Sequence, residues 1–441
     1  MLELFRTRYT YALICIYLVS AYGHATLGEQ NMAQGFTDRS WREVLRMENP
    51  PKEIREAGVV SMPRFEPLDQ DVTYLRPHAN EELNSRMPST LAAESWEVRW
   101  HSELHDRLFP DFLMTDGRRI LIQGDSEWQL FDMDGKLLEA GPLGYSGVVL
   151  DRANKVFYLM DQLGYLSAWN LADGSMAFLI GIDYADDFFR SFFTRRGQDM
   201  LIVGIQREFE GDGPPPNYSL IQVLDLGDPM KISDDHDLTS LQTRAEMVRY
   251  STLLLAAMHE ETLVIAAQDY LYFADLGLRI DNVLSGNFIP LAMSLDEAMN
   301  IYMIVLTGED HYALWLVTPG GERLMSAEIP EIPDYVYTPP IVGYDHVVYI
   351  TLEDRIMAIS LQGEVLWDEY LPEPVAGAVV TANDQLLVSV GSMLLAFDEK
   401  GERRTLYAFE GEELVTQPIL TERERIIVAT QESLYYLVPK P

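Results

Sequence analysis

Carboxylates and histidines are the side chains of this chain best suited to chemistry, 69 and 8 of them in 441 residues, yet their spacing points to no reaction. His101 and His105 flank Glu103 at a separation that suits metal ligands on a helix. They follow a strand-like motif, however, and on a strand positions i and i+4 lie roughly 13 Å apart, too far to share an ion. His259, His311 and His346 fall in or beside polar turns with no second histidine near them in sequence, and read as surface side chains. Asp132, Asp134 and Gly135, and the run Asp234, Asp235, His236 and Asp237, have some Ca²⁺-loop character. Neither continues to the glutamate that ends an EF-hand loop, so both read as ordinary turns. Gly144, Tyr145, Ser146 and Gly147 come nearest to a nucleophile elbow and lack its flanking pattern. A His-Glu-x-x-His helix and a phosphate-cradling glycine loop do not occur. No catalytic residue, cofactor site or metal site is therefore assigned, although a hydrolytic carboxylate pair would be hidden among so many acids.

The formal charge of −36 excludes partners that need a basic surface. Nucleic acid and anionic headgroups are held by Lys and Arg that neutralise phosphates, so a basic protein or cations are the expected partners. The N-terminus has the pattern of an export signal: Arg6 and Arg8, a mostly apolar run from Tyr9 to Tyr22, and small residues at Ala21, Gly23 and Ala25. Cleavage after Gly23 or Ala25 gives a signal peptide of residues 1–25; the alternative is a short uncleaved anchor. No later apolar run approaches the ~20 residues of a spanning helix, so no transmembrane span is expected in the mature chain. Cys15 lies inside the signal, which leaves the mature chain without a disulfide, thiolate ligand or cysteine nucleophile. Ile14 before Cys15 is a poor fit to a lipoprotein processing site. A cysteine-free exported chain suits a bacterial periplasm or secretion.

The elements that position these residues repeat. Second strands of successive units begin near Ile120, Val156, Met200, Leu263, Ile301, Val347, Leu386 and Ile426, at steps of about 36 to 46 residues with one of about 63. Each unit reads as strand, polar turn, strand, polar turn, strand, as in Val379 to Val380, Leu386 to Val390 and Leu394 to Phe397. The last unit, Pro418 to Leu437, has only three such strands, whereas an orphan fourth strand opens the repeat region: Glu97, Val98 and Trp100 match Glu364, Val365 and Trp367 of the sixth unit. Pairing that strand with the last three closes a ring and hides its edge. The expected fold is all-β, an eight-bladed β-propeller of four-stranded antiparallel blades over residues 94–441. Residues 26–93, with Pro50, Pro51, Pro63, Pro67, Pro77 and Pro88, read as an extended leader that serves as a tether, packs on the propeller or engages a partner. A short amphipathic helix is considered over Ser40 to Met47, and another over Ser240 to Met247.

The third strands carry a family resemblance. Ala168, Trp169 and Asn170 through Gly174 to Phe178 follow the pattern Ala-x-Asp-x-x-x-Gly-x-x-x-Trp at full spacing, with Phe for Trp. Ala358 through Gly363 to Trp367, and Ala396 and Asp398 through Gly401 to Thr405, follow it with one residue fewer. Phe131 to Gly135, and Trp315 through Gly321 to Met325, are weaker copies. Over about residues 94 to 439 the chain thus resembles the pyrroloquinoline-quinone-type repeat, or quinoprotein-like, propeller family. Within it, the chain is similar in build to a non-catalytic branch, the propeller lipoprotein of the outer-membrane β-barrel assembly machine. The resemblance implies packing roles: Ala where strands crowd, Gly for positive φ in the turn, and a large ring between neighbouring blades. The family's dehydrogenases stack the quinone between a Trp and a vicinal disulfide and hold Ca²⁺ with Glu, Asn and Asp; without a mature cysteine that platform cannot form here, and no cofactor is expected.

In a four-stranded meander, the second-to-third turn and the link to the next blade emerge on one face of the disc. Those turns carry Asp125, Asp161, Glu208 with Asp212, Asp269, Glu309 with Asp310, Glu353 with Asp354, and Glu432, while the turn at Gly391 and Ser392 carries none. Asp186, Asp187, Asp234, Asp235, Glu410, Glu412 and Glu413 are added by the links. Insertions at Arg207 to Tyr218 and Lys231 to Arg249 are assigned to the same face. Loops on a rigid scaffold are where recognition resides. The expectation is an exported, non-catalytic scaffold that binds a protein partner through this acidic face, as a monomer or within a hetero-complex. The alternative is a propeller enzyme, either quinone-dependent or acting on carbohydrate with Trp128, Tyr165, Tyr218 and Tyr270 as aromatic platforms.

Overall fold

The structure, a computed structural model, describes residues 51–57, 62, 64, 85–124, 126–142, 147–151, 155–160, 165–181, 188–196, 199–207, 217–225, 243–250, 255–308, 311–330, 338–421 and 424–440. The export segment 1–25 and the helix considered over Ser40 to Met47 lie outside these. Among the described residues there are only strands and turns, and no helix is long and apolar enough to cross a membrane.

Among the described residues the strands form eight antiparallel meanders in chain order. The first is Leu108–Thr115, Arg119–Gly124, Glu127–Asp132 and Leu137–Pro142; the second Gly147–Asp151, Val156–Met160, Tyr165–Asn170 and Met176–Gly181. The third is Phe188–Arg196, Asp199–Arg207, Asn217–Asp225 and Thr243–Tyr250; the fourth Leu255–His259, Thr262–Ala267, Tyr270–Ala274 and Ile280–Ser285. The fifth is Ile289–Leu295, Ile301–Thr307, His311–Val317 and Glu322–Glu328; the sixth Ile341–Val342, Val348–Leu352, Arg355–Ile359 and Val365–Tyr370. The seventh is Val375–Val380, Leu386–Val390, Met393–Phe397 and Arg403–Ala408. The eighth joins Ile419–Thr421, Arg425–Ala429 and Ser433–Pro439 to Trp96–Glu103, with Trp96 opposite Pro439 and Trp100 beside Tyr436.

Burial explains the sequence pattern. Second strands such as Leu386–Val390 are buried throughout, because sheets pack on both of their faces, and so they read as unbroken apolar runs. Outer strands such as Arg403–Ala408 keep a single buried residue, Leu406, among exposed and half-buried ones, because one edge and part of one face meet solvent. First strands of neighbouring sheets contact one another and ring the centre. In all eight sheets the pairing of third with outer strand slips by a residue, for example between Ala168 and Trp169 and between Ala358 and Ile359. Such bulges increase the local twist that a radial array requires. This architecture of twisted antiparallel meanders around a centre is that of a β-propeller.

The repeat motif acts at the seams between sheets. Gly135 and Gly401, in third-to-outer turns, have φ of 82° and 78°. A Cβ on Gly135 would lie 2.6 Å from the Trp100 ring and one on Gly401 2.7 Å from Trp367 Cγ, so the outer-strand tryptophan of the preceding sheet rests on the glycine itself. Trp367 also stacks on Phe397 of the next sheet, with ring centroids 5.6 Å apart.

Three expectations change. Thr243–Tyr250 is the outer strand of the third sheet rather than a helix: Tyr250 to Met247 pair with Tyr218 to Ile221, and completing the meander outweighs the local capping signal. The segment holding Asp234 and Asp235, itself outside the described residues, therefore lies in sequence between the third and outer strands of one sheet rather than between two sheets. His346 is buried at 3% exposure rather than superficial, in a turn whose Tyr344 N–H is held by Asp384 of the next sheet.

Candidate functional site

The disc has two chemically distinct faces. One carries the first-to-second and third-to-outer turns, and the other carries the second-to-third turns and the links between sheets. We call them the strap face and the link face.

The described parts of the leader run along the rim of the fourth and fifth sheets and then across the strap face. Lys52 and Glu53 pair in parallel with Leu284 and Ser285 on the outer strand of the fourth sheet. Arg55 and Glu56 pair likewise with Glu322 and Arg323 on that of the fifth. Arg64 forms an ion pair with Asp384 in the first turn of the seventh sheet. Arg86 bridges to Val380 beside the hub, donates from Nε to the Val342 carbonyl at 2.7 Å and pairs with Glu297 at 2.5 Å. Leu91 is bracketed by Asn383, which accepts from its N–H at 2.9 Å and donates to its carbonyl at 3.1 Å. Met87 and Leu91 are fully buried, a contribution of about 1.5–3 kcal/mol each. From there the chain runs past Glu424 and Arg404 into the closing strand at Trp96.

Buried carboxylates lie beneath this strap. Asp296 accepts from Ala298 and Asn300 N–H, Asn300 Nδ2 and the Tyr302 hydroxyl. Burial outweighs these bonds and raises its pKa above the ordinary aspartate range. Asp384 is raised too, first by burial and then by the charge of Asp345, against the pull of Arg64.

On the link face, carboxylates of the links bind the next sheet. Asp106 accepts from Ser126 N–H at 2.6 Å, from its hydroxyl at 2.9 Å and from Glu127 N–H at 3.2 Å. Although burial opposes it, these bonds hold the Asp106 carboxyl below its usual value. Glu373 accepts from Ser392 N–H at 3.2 Å. Glu412 accepts from the Thr430 hydroxyl at 2.6 Å and the Tyr435 hydroxyl at 2.7 Å. Burial raises Glu412, but those bonds outweigh it and keep the group low, while burial and the Glu412 contact push Tyr435 up to about 12. Sequence reading missed Asp106 and Glu373 and saw only charge at Glu412; an acid three to five residues after an outer strand is the signal that marks them.

The predicted acids divide accordingly. Asp269 has φ of 65° and its Oδ1 accepts from Phe288 N–H at 3.1 Å, so it also fastens a turn to a link. Glu353, Asp354 and Glu432 are exposed, at second-to-third turns. Asp125, Asp161, Glu208, Asp212, Glu309 and Asp310 lie outside the described residues, each between the second and third strands of its sheet.

The enzymatic alternatives gain no geometry. Among the described residues no three His, Cys, Asp or Glu side chains converge where they would hold a metal, and Cys15 lies outside them. Trp128, expected as an aromatic platform, has no exposure: it packs against Phe157 at 5.0 Å and Trp169 at 4.9 Å. Tyr270 is half-buried and stacks on Tyr272 at 5.9 Å. The side chains of Tyr165 and Tyr218 are outside the described set. Asp132 turns its Oδ1 to Asp134 and Lys136 N–H, as an ordinary turn does.

No family model matches the sequence, and comparison with curated proteins finds no match. Solved structures do match. BamB from Moraxella catarrhalis aligns at TM-score 0.54 and 12% identity over 78% of this chain and 99% of that one. A europium-containing methanol dehydrogenase aligns at 0.57 and 8% over 84% and 98%. The C-terminal WD40 domain of Sif2 aligns at 0.55 and 10% over 79% and 100%. At such identities the likeness establishes the fold, so the chain is an all-β propeller of four-stranded antiparallel sheets.

Proposed function

We propose that this chain is an exported, non-catalytic propeller scaffold that docks a basic protein partner on its link face. The observation that carries this reading is the asymmetry of the disc: Arg64 and residues 85–93 of the leader strap one face, whereas Glu353, Asp354 and Glu432 stand exposed on the other. An acidic, rigid face steers a cationic partner and holds it by charge complementarity. The undescribed acids Asp125, Asp161, Glu208, Asp212, Glu309 and Asp310 belong to this proposal through their turn positions, and Asp269 through its place beside them. Signal peptide 1–25, leader 26–93 and propeller 94–441 are the proposed segments, with the bacterial periplasm or secretion as destination and the non-catalytic quinoprotein-like branch as the proposed kinship. The export pattern around Arg6 to Ala25 and the absence of any later cysteine support them.

The test is to capture the partner from the native envelope and measure its affinity for Glu353→Lys, Asp354→Lys and Glu432→Lys together, at two salt concentrations. The proposal expects a loss of at least about tenfold and a flatter salt dependence. Unchanged affinity and unchanged salt response would sink it. Asp269 is left out of the set because its carboxylate fastens Phe288.

A further inference from the structure

We infer that the outer edge of the sixth sheet, Val365–Tyr370, is a second docking site, which takes an extended segment alternating basic and aliphatic residues as an added strand. The chain itself shows the mode. Residues 52–53 and 55–56 add in parallel to the outer strands of the fourth and fifth sheets, and Ile54 between them dips into the seam beside Phe288 and Trp315. That seam is an open groove of about 760 Å³. Ala57 then packs at the seam between the fifth and sixth sheets. On those outer strands Leu324, which stands at the register position of Leu366, is 9% exposed, and Val283, Leu284 and Met325 are 6%, 0% and 3% exposed.

The next sheet around the rim is different. Val365 and Leu366 are each 48% exposed and Tyr370 64%, three of the five exposed large hydrophobic residues among those described. An outer strand with open backbone groups and an apolar surface is a template for strand addition. The edge also carries three carboxylates, two of them paired with arginine. Glu364 is exposed, and Asp368 and Glu369 lie along the strand, paired with Arg355 and Arg403. Edge-to-edge pairing of two copies would bring these carboxylates together on chains of charge −36, whereas a cationic strand meets them favourably. The chemistry selected is an extended peptide whose aliphatic side chains cover Val365 and Leu366 and whose lysines or arginines meet the carboxylates. This contact lies on the rim and does not depend on the link-face reading.

The experiment uses the full chain and a fluorescent synthetic peptide alternating lysine with valine. Expected are saturable binding, amide exchange protection gained within Val365–Tyr370, and an affinity loss of at least about tenfold for Val365→Lys and for Leu366→Lys. Tyr370→Ser, at the most exposed position, repeats the measurement should either lysine variant fail to fold. Glu353→Lys leaves peptide binding unchanged, which separates this site from the link face. The inference is overturned by any of four results: no binding to the wild-type chain, full affinity in a folded Val365 or Tyr370 variant, equal binding of a glutamate–valine peptide, or concentration-dependent pairing of the chain through this edge.

Discussion

On the strap face, Arg86 and Arg64 bring their charges to Glu297 and Asp384 from segments remote in sequence, over a floor that buries Asp296. On the link face, Asp106, Glu373 and Glu412 turn to N–H and hydroxyl groups of the following sheet, and Glu353, Asp354 and Glu432 meet water. The same residue type is thus a buried anchor on one side and a clasp or free charge on the other. What decides is coverage. A carboxylate beneath a strap must be paired or pay a desolvation penalty, whereas one in an open turn needs only local donors or solvent.

This difference is open to direct attack, and the largest effect belongs to the strap. Arg86→Met removes the guanidinium from Glu297 and the Val342 carbonyl and should lower unfolding stability by about 3 kcal/mol in urea titration. A loss below about 1 kcal/mol would mean that the strap is a loose tether. Next come two glycines with nearly equal backbone angles. Gly401, on the strap side, and Gly411, in a link, have φ of 78° and 76°, but a Cβ meets Trp367 at the first and nothing within 4 Å at the second. Gly411→Ala should cost about 1 kcal/mol of left-handed strain, and Gly401→Ala about 1–3 kcal/mol more from overpacking. Equal losses would show that the seam adapts without cost.

Acid titration separates the faces by sign. Glu412 is held below its unfolded value of 4.5, so its contribution is complete above that value and is lost as pH falls through the folded pKa. The stability gap between the wild type and Glu412→Gln should therefore close on acidification below about 4.5. Asp296 is raised above 3.8, so its ionisation weakens the fold as pH rises through the folded pKa. Against Asp296→Asn, the wild type should lose ground with rising pH above about 3.8. Thermal melts across pH 3 to 7 read both slopes, and slopes of the same sign would erase the distinction. The smallest effect is expected at Glu353→Lys and Asp354→Lys, which should shift stability by no more than about 0.5 kcal/mol while changing partner affinity. A large drop in melting temperature would show that these exposed acids are structural after all.

Much of the fold was legible because its signals are local. Alternation, turn residues and the recurrence of Ala, Gly and Trp lie within one unit of about 40 residues, and even the closing strand was found by matching Glu97, Val98 and Trp100 to Glu364, Val365 and Trp367. The reading failed where a local signal competed with sheet pairing. A cap and a glutamate suggested a helix before Tyr250, and the unpaired edge of Asn217–Asp225 took the segment as a strand instead. It was incomplete at the site, where turn position was readable but the use of each acid was not: Asp269 and Glu353 occupy equivalent turns, but Asp269 accepts a link N–H with its carboxylate, whereas Glu353 meets Val375 N–H with its backbone carbonyl and leaves its side chain exposed.

By itself the sequence determined the repeat, the partition of each unit into four strands, the joint between the first strand and the last three, and the acidity of the turns. These follow from periodicity and composition, which any stretch of chain carries with it. Tertiary structure alone decided that Arg64 and residues 85–93 cross one face, that Arg86 reaches Glu297 and Val342, that Trp128 packs a seam instead of receiving a ligand, and that Val365, Leu366 and Tyr370 stay exposed on the rim. Those outcomes depend on contacts between separate sheets or between leader and disc, tens to hundreds of positions apart, whose formation reflects which surfaces the disc leaves vacant.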